Sequence, residues 1–155
     1  MTLAEIKKKC IEIMKSKYPT STYKYYSNAV VENFVRPCFF TEITIDQSEP
    51  ASSDAEHYLG EFSIEVLQDK IDEAKALEIA STLRLAFGRY FMVDVGQGKK
   101  RAVKVRQFNF EFAGTDDNIP VITIILEWFD RGLLPSETAD TMTDVDVSLK
   151  VEVEE

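Results

Sequence analysis

The apolar residues of this chain recur at two spacings, and the switches between them predict its elements. Leu3, Ile6, Cys10, Ile13 and Met14 fall at helical spacing, with Lys7, Lys8, Lys9, Glu12 and Lys15 turned the other way. Thr2-Leu3-Ala4-Glu5 is a capping box: the hydroxyl accepts from the Glu5 N–H and the carboxylate reaches back. The spacing therefore predicts a helix from Thr2 to about Lys17, ended before Pro19. Thr22, Tyr23, Tyr25 and Tyr26 within Ser21–Ser27 predict a short strand by β-propensity. Ser27-Asn28 turns the chain, and Ala29–Arg36 is a connection with room for a short helical turn at Val30–Phe34.

At Arg36-Pro37 the period becomes two. Proline has no N–H and pushes the preceding residue into an extended conformation, so a strand can start here. Phe39, Thr41, Ile43 and Ile45 alternate with Cys38, Phe40, Glu42 and Thr44, which predicts a strand to about Gln47. Ser48–Ala55 is polar, contains Pro50 and reads as a mobile loop. Tyr58, Phe62, Ile64 and Val66 then alternate with Glu61, Ser63 and Glu65. This second long strand pairs antiparallel with the first, and Gly60 marks a bulge or a close approach.

Asp69 is expected to cap a second helix, with Asp72 and Glu73 in its first turn and Gly88 just past its end. Its predicted buried stripe is Ala74, Leu77, Ala80, Leu83 and Phe87. Tyr90–Val95 reads as a short strand and Gly96-Gln97-Gly98 as a turn. Val103 and Val105 then point one way, and Phe108, Phe110 and Phe112 the other. A β-bulge near Arg106-Gln107 gives this phase switch; so does a strand whose first half faces a partner chain. Gly114–Asn118 is a turn. The strand opened by Pro120 is apolar on both sides (Ile122, Ile124, Leu126, Trp128; Val121, Ile125, Phe129), so it is central and hairpin-paired with Phe108–Phe112.

Together these elements predict an α+β fold, an antiparallel sheet with two main helices packed on it, over residues 1–131. Its expected core is Ile6, Ile13, Phe40, Ile43, Phe62, Ile64, Leu77, Leu83, Phe110, Ile124 and Leu126. Residues 132–155 read as an acidic C-terminal extension whose one alternating stretch is Val145, Val147, Leu149, Val151 and Val153.

Composition adds little to the fold but excludes much chemistry. The chain has 155 residues, 45% of them hydrophobic and 11% aromatic, enough for one domain with a real core. No apolar run is long enough to span a bilayer, and the charged N-terminal stretch does not read as a signal peptide. Cys10 and Cys38 are expected to be buried free thiols in a reducing compartment. His57 is the only histidine, so histidine triads and multi-histidine metal sites are excluded. Gly96-Gln97-Gly98-Lys99-Lys100 lacks P-loop spacing, and Asp116-Asp117-Asn118 lacks the other ligands of a calcium loop. The expectation is a protein without catalytic residues, cofactor or metal.

Charge is unevenly placed. The net charge is −9; residues 1–36 carry seven Lys/Arg against three Asp/Glu, +4, leaving −13 on the remainder. Bulk charge of this sign disfavours nucleic-acid binding. Against it stands one dense basic cluster: Lys99, Lys100, Arg101, Lys104 and Arg106.

The amphipathic first helix, Tyr23-Lys24-Tyr25-Tyr26, Arg36-Pro37-Cys38-Phe39-Phe40, the strand Tyr58–Leu67 before a helix, and the closing hairpin ending Trp-Phe-Asp-Arg carry a resemblance. Over roughly residues 3–130 the chain resembles the phage tail terminator-like family. That resemblance implies a virion structural protein, assembled in the host bacterial cytoplasm, that caps the completed tail as a ring, commonly of six subunits. It implies as partners other copies of itself, tail tube and sheath proteins, and the head–tail connector, with DNA passing through the ring. No residue-level site carries over, because the role is made by surfaces. A related virion component, a head–tail adaptor or a tube protein, is the alternative; a tube protein self-polymerises where a terminator closes rings. A head-to-tail ring needs two different, complementary patches. The basic cluster is the candidate for one of them, and a solvated, charge-balanced hairpin is the competing reading of the same residues.

Overall fold

A computed structural model describes residues 1–27, 33–52, 54–114 and 118–131. The elements are α1 (Leu3–Lys17), β1 (Lys24–Ser27), β2 (Cys38–Pro50), β3 (Ala55–Leu67), α2 (Glu73–Phe87), β4 (Tyr90–Asp94), β5 (Lys100–Ala113) and β6 (Ile119–Arg131). The helical turn expected at Val30–Phe34, the turn at Asp116-Asp117 and the extension from 132 onward lie wholly or partly outside the described residues.

The predicted capping box forms. Glu5 N–H donates to Thr2 Oγ1 at 3.3 Å, and Thr2 N–H donates to Glu5 Oε2 at 2.7 Å. This fixes where α1 begins and hence which stripe, Ile6, Cys10 and Met14, faces inward. Burial raises the Cys10 thiol's pKa well above its ordinary value. α2 begins later than the sequence suggested. Asp72, not Asp69, is its N-cap: Asp72 Oδ1 accepts from Lys75 N–H at 3.1 Å, and the Gln68 side chain clamps the Asp72 backbone from both sides. The buried stripe rotates accordingly to Ala76, Ile79, Ala80, Leu83 and Phe87. Both candidate stripes share Ala80, Leu83 and Phe87, so periodicity alone did not separate them. Ile79 takes the inward place, and Leu77 is 46% exposed.

One six-stranded sheet runs in the order β1-β2-β3-β6-β5-β4. All neighbouring pairs are antiparallel except β1 and β2, which are parallel, Lys24 opposite Cys38 through Ser27 opposite Thr41. The sheet is therefore mixed, not purely antiparallel. The segment 28–37 is long enough to carry the chain back past a four-residue strand before β2 starts. Beyond Thr41, β2 has no partner on that side among the described residues. This lets it run on to Pro50, whose missing N–H costs nothing on an unpaired edge. Ser48–Pro50 and Ala55 thus belong to strands, and the expected loop shrinks to 51–54.

Both helices pack on one side of the sheet. Ile6, Cys10, Met14, Ile79, Leu83 and Phe87 form one cluster with Phe39, Phe62, Ile64, Val66, Val93, Val103, Ile122, Ile124, Leu126 and Trp128. Fully burying each Ile or Leu contributes roughly 1.5–3 kcal/mol. Ile13, Ile43 and Phe110 sit half-buried at the rim of this cluster. Phe40 is not in it. It lies on the opposite side of the sheet, stacked on Tyr26 at 5.3 Å and edge-on to Phe34.

Two β-bulges keep the alternation in phase. In β5 the register steps from Val105 opposite Leu126 to Gln107 opposite Ile125, so Arg106 is the extra residue. The bulge puts Val103, Val105, Phe108 and Phe110 all on the helix-covered side, facing the chain's own core and not a partner. In β2 the register steps from Ile45 opposite Gly60 to Gln47 opposite Leu59, so Asp46 is extra.

The Asp46 bulge crowds Gly60. A Cβ there would sit 2.5 Å from the Thr44 carbonyl oxygen and 3.0 Å from the Trp128 ring. Gly60→Ala is therefore expected to lower stability by roughly 1–3 kcal/mol, the scale of core overpacking. Urea denaturation checks this: a fall in midpoint at unchanged slope is expected, and an unchanged midpoint counts against the close approach.

Candidate interaction surface

No element among the described residues covers the far side of the sheet, and its side chains follow from the strand register. β6 sends Val121, Thr123, Ile125, Glu127 and Phe129 to this side, between His57 through Glu65 of β3 and Lys104 through Glu111 of β5. Val121, Ile125 and Leu59 are half-buried by neighbouring strands, while Phe129 is 54% and Tyr90 67% exposed.

At one end of this side a charged network replaces apolar packing. Leu59, Glu127 and Lys104 lie opposite one another on three adjacent strands. Glu127 Oε1 accepts from His57 Nε2 at 2.9 Å and from Arg106 Nη1 at 3.4 Å. Lys104 Nζ is 3.0 Å from Oε2 but off the hydrogen-bonding direction, so that oxygen is ion-paired without a hydrogen bond. The other ring nitrogen, His57 Nδ1, lies 3.0 Å from Glu49 Oε1, and the ring stacks on Phe129 at 4.7 Å. A ring with a carboxylate at each nitrogen satisfies both only as imidazolium, which donates twice. The Glu49 hydrogen bond, then the Glu127 one, accordingly raise the His57 pKa above its ordinary value against the opposing effect of burial. Glu127 is lowered below its ordinary value, first by Lys104 and also by His57.

The five basic residues marked in the sequence do not stay together. Lys99 closes the turn between β4 and β5, its N–H donating to the Gly96 carbonyl at 3.0 Å. Gly96, Gln97 and Gly98 all have positive φ, which the two glycines adopt without cost. Lys100 is exposed on the open side, across from Asp94. Arg101 points to the helix-covered side and meets Asp130 at 3.3 Å, where the N-terminal ammonium also binds. Lys104 and Arg106 converge on Glu127 yet stay exposed themselves. Exposed Glu42, Glu49 and Glu65 stand on the β2–β3 half of the same side. The open side is thus basic along the Lys100–Arg106 half of β5 and acidic along β2 and β3, with exposed Glu111 at the other end of β5. Sequence reasoning missed His57, Glu49 and Glu127 as a unit. The available signal was a carboxylate, Glu127, within an otherwise apolar central strand.

Comparison with known proteins adds a family. Residues 5–134 match the family model described as phage tail terminator protein. No curated protein matches. Among solved structures, one similar chain carries no descriptive name. It is 18% identical, with 87% of this chain and 99% of that one covered and a TM-score of 0.52, which shows a shared fold. Another belongs to the virion of a native gene transfer agent particle; it is 14% identical, covers 77% of this chain and 84% of its own, and has a TM-score of 0.43.

The network has a defined pH window. A raised His57 contributes stability fully below its ordinary value of 6.5 and loses it as pH rises through the folded value. A lowered Glu127 contributes fully above its ordinary 4.5 and loses it as pH falls through the folded value. The ion pairs are complete between these limits. Wild type is expected to lose more melting temperature than His57→Gln between about pH 6 and about pH 9. Parallel curves for the two proteins would show that His57 is not held charged.

Proposed function

Because the chain belongs to the phage tail terminator protein family, a family of phage tail structural proteins, we propose that it closes the completed tail as a ring and forms the head-side end of the tail. In this reading the ring has six copies. It contacts tube and sheath below and the head–tail connector above, and DNA passes through it. The protein acts through surfaces and not through catalysis, in the virion tail, after assembly in the host cytoplasm.

The observation that supports this most is the open side of the sheet, with positive charge along the Lys100–Arg106 half of β5 and negative charge along β2 and β3. A head-to-tail contact joins two different patches, and one subunit here carries patches of both signs. Lys99, Lys100, Arg101, Lys104 and Arg106 are assigned to or beside a subunit or tail-partner contact. Each exposed ion pair alone contributes only about 0–1 kcal/mol, so the contact works collectively or where it is partly buried.

The test is the Lys100→Glu, Arg101→Glu, Lys104→Glu triple variant, first shown by circular dichroism to fold. Wild type is expected to form closed rings by negative-stain electron microscopy at low salt, with fewer at high salt, and the variant none at either. Rings that persist in the variant at low salt remove the basic strand from the contact. Open filaments from wild type favour a tube protein instead.

A further inference from the structure

The sheet has two edges that no described residue pairs with, one at β4 and one at β2 beyond Thr41. The backbone fixes the phase of each. In the β4–β5 ladder Val105 N–H donates to the Arg89 carbonyl and Val95 N–H to the Lys99 carbonyl. Phe91 and Val93 share that phase and bond β5, so the peptide groups of Tyr90, Met92 and Asp94 point outward. In the parallel β1–β2 ladder Lys24 N–H donates to the Pro37 carbonyl. Phe39 and Thr41 therefore turn to β1, and Ile43 and Ile45 turn the same way beyond its end. Rows of unused peptide groups such as these are a template for a further strand.

We propose that β4 of one copy pairs in parallel with Glu42–Ile45 of β2 in the next copy, so that the sheet runs on from subunit to subunit. This rests on the ring proposed above and names its contact. Every step from β2 through β3, β6 and β5 to β4 is antiparallel, so β2 and β4 run in the same direction. Copies related by rotation about an axis along the strands set β4 beside the neighbour's β2 in that parallel sense. A different strand then lies on each side of the contact, as a head-to-tail ring needs. With Met92 opposite Thr44, both on the open side, Val93 falls opposite Ile45, both on the helix-covered side. The outward peptide groups of Met92 then meet those of Ile43 and Ile45.

Packing selects β2 over a second β4 as the occupant. Beside β4 a groove of about 730 Å³ is lined by Met92, Val93 and Asp94 of β4 and by Lys8 and Glu12 of α1. A second β4, turned about a two-fold axis, would bring Phe91 and Val93 to this groove, and both are already buried in their own core. β2 brings Ile45. Opposite Gly60 it lies on the helix-covered side, yet it is 45% exposed in the single chain. Set beside Val93, it gains cover from the groove and from the aliphatic stem of Lys8. The length also fits. The Asp46 bulge breaks the row after Ile45 and Pro50 has no N–H to offer, which leaves a stretch close in length to the five-residue β4. Lys100, opposite Asp94 on β5, lies one strand from the contact, so the basic cluster borders it.

Residue-resolved amide exchange on wild type, compared between the ring fraction and the dilute monomer, tests the contact. The amides of Ile43, Ile45 and Met92 are expected to gain at least about tenfold protection in the ring, while those of Phe91 and Val93, already bonded to β5, change little. Rings in which the first set exchanges as in the monomer overturn the proposal and leave the ring reading standing. Absence of rings at every concentration overturns both. A second arm mixes two single-cysteine variants, Met92→Cys and Thr44→Cys, with a short bis-maleimide. Both positions are exposed, and the native Cys10 and Cys38 are buried. A crosslinked dimer is expected from the mixture and from neither variant alone. A dimer from Met92→Cys alone shows β4 paired with β4 and overturns the proposal. A mixture that forms rings and gives no dimer overturns it too.

Discussion

β6 is buried on both sides to different degrees, and the rest of the fold answers to that. Ile122, Ile124, Leu126 and Trp128 are almost wholly removed from water, while Val121, Ile125 and Glu127 between them are only partly covered. The first set must meet an apolar layer, so both helices go to one side, and Phe39, Phe62, Ile64 and Val103 line up with it on neighbouring strands. The second set is served by nothing larger than adjacent side chains. A sheet of this kind leaves one broad side for other molecules.

The Arg106 bulge ties that packing to the charge pattern. Without the extra residue, either the valines or the phenylalanines of β5 would face water. With it, both face the core, and Lys104 and Arg106 come together on the open side at Glu127. Two cations and His57 around one carboxylate leave this end of the open side positively charged. The density of lysine and arginine that stands out in the sequence is therefore partly self-contained: Arg101 and Lys104 are each committed to a carboxylate of β6. Lys99 and Lys100 make no ion pair among the described residues.

Strong local signals were legible in the sequence. The Thr2–Glu5 box and the alternation of β2, β3 and β6 each follow from a few neighbouring residues; the phase switch near Arg106 and the special place of Gly60 were visible too, but the structure decides between a bulge and a partner-facing strand at the first, and between a bulge and a close approach at the second. What escaped depended on choices that neighbours do not decide. Leu77 and Ile79 compete for the same inward position, and the cap at Asp72 settles it. The parallel pairing of β1 with β2 is set by a connection whose path the sequence does not specify. Phe40 looks like core by composition, yet its parity puts it on the side without helices. The His57–Glu49–Glu127 group joins three strands far apart in the chain, so no local pattern contains it.

A chain with one helix-covered side and one open, charge-divided side leaves that open side for contacts with other tail components, which accords with its membership of the phage tail terminator protein family. The most direct measurement is electron microscopy of particles assembled with and without this chain. The account predicts that particles lacking it have tails with unclosed or irregular head-side ends and no attached heads, restored by adding the wild-type chain. Normal, head-bearing tails in its absence would contradict it.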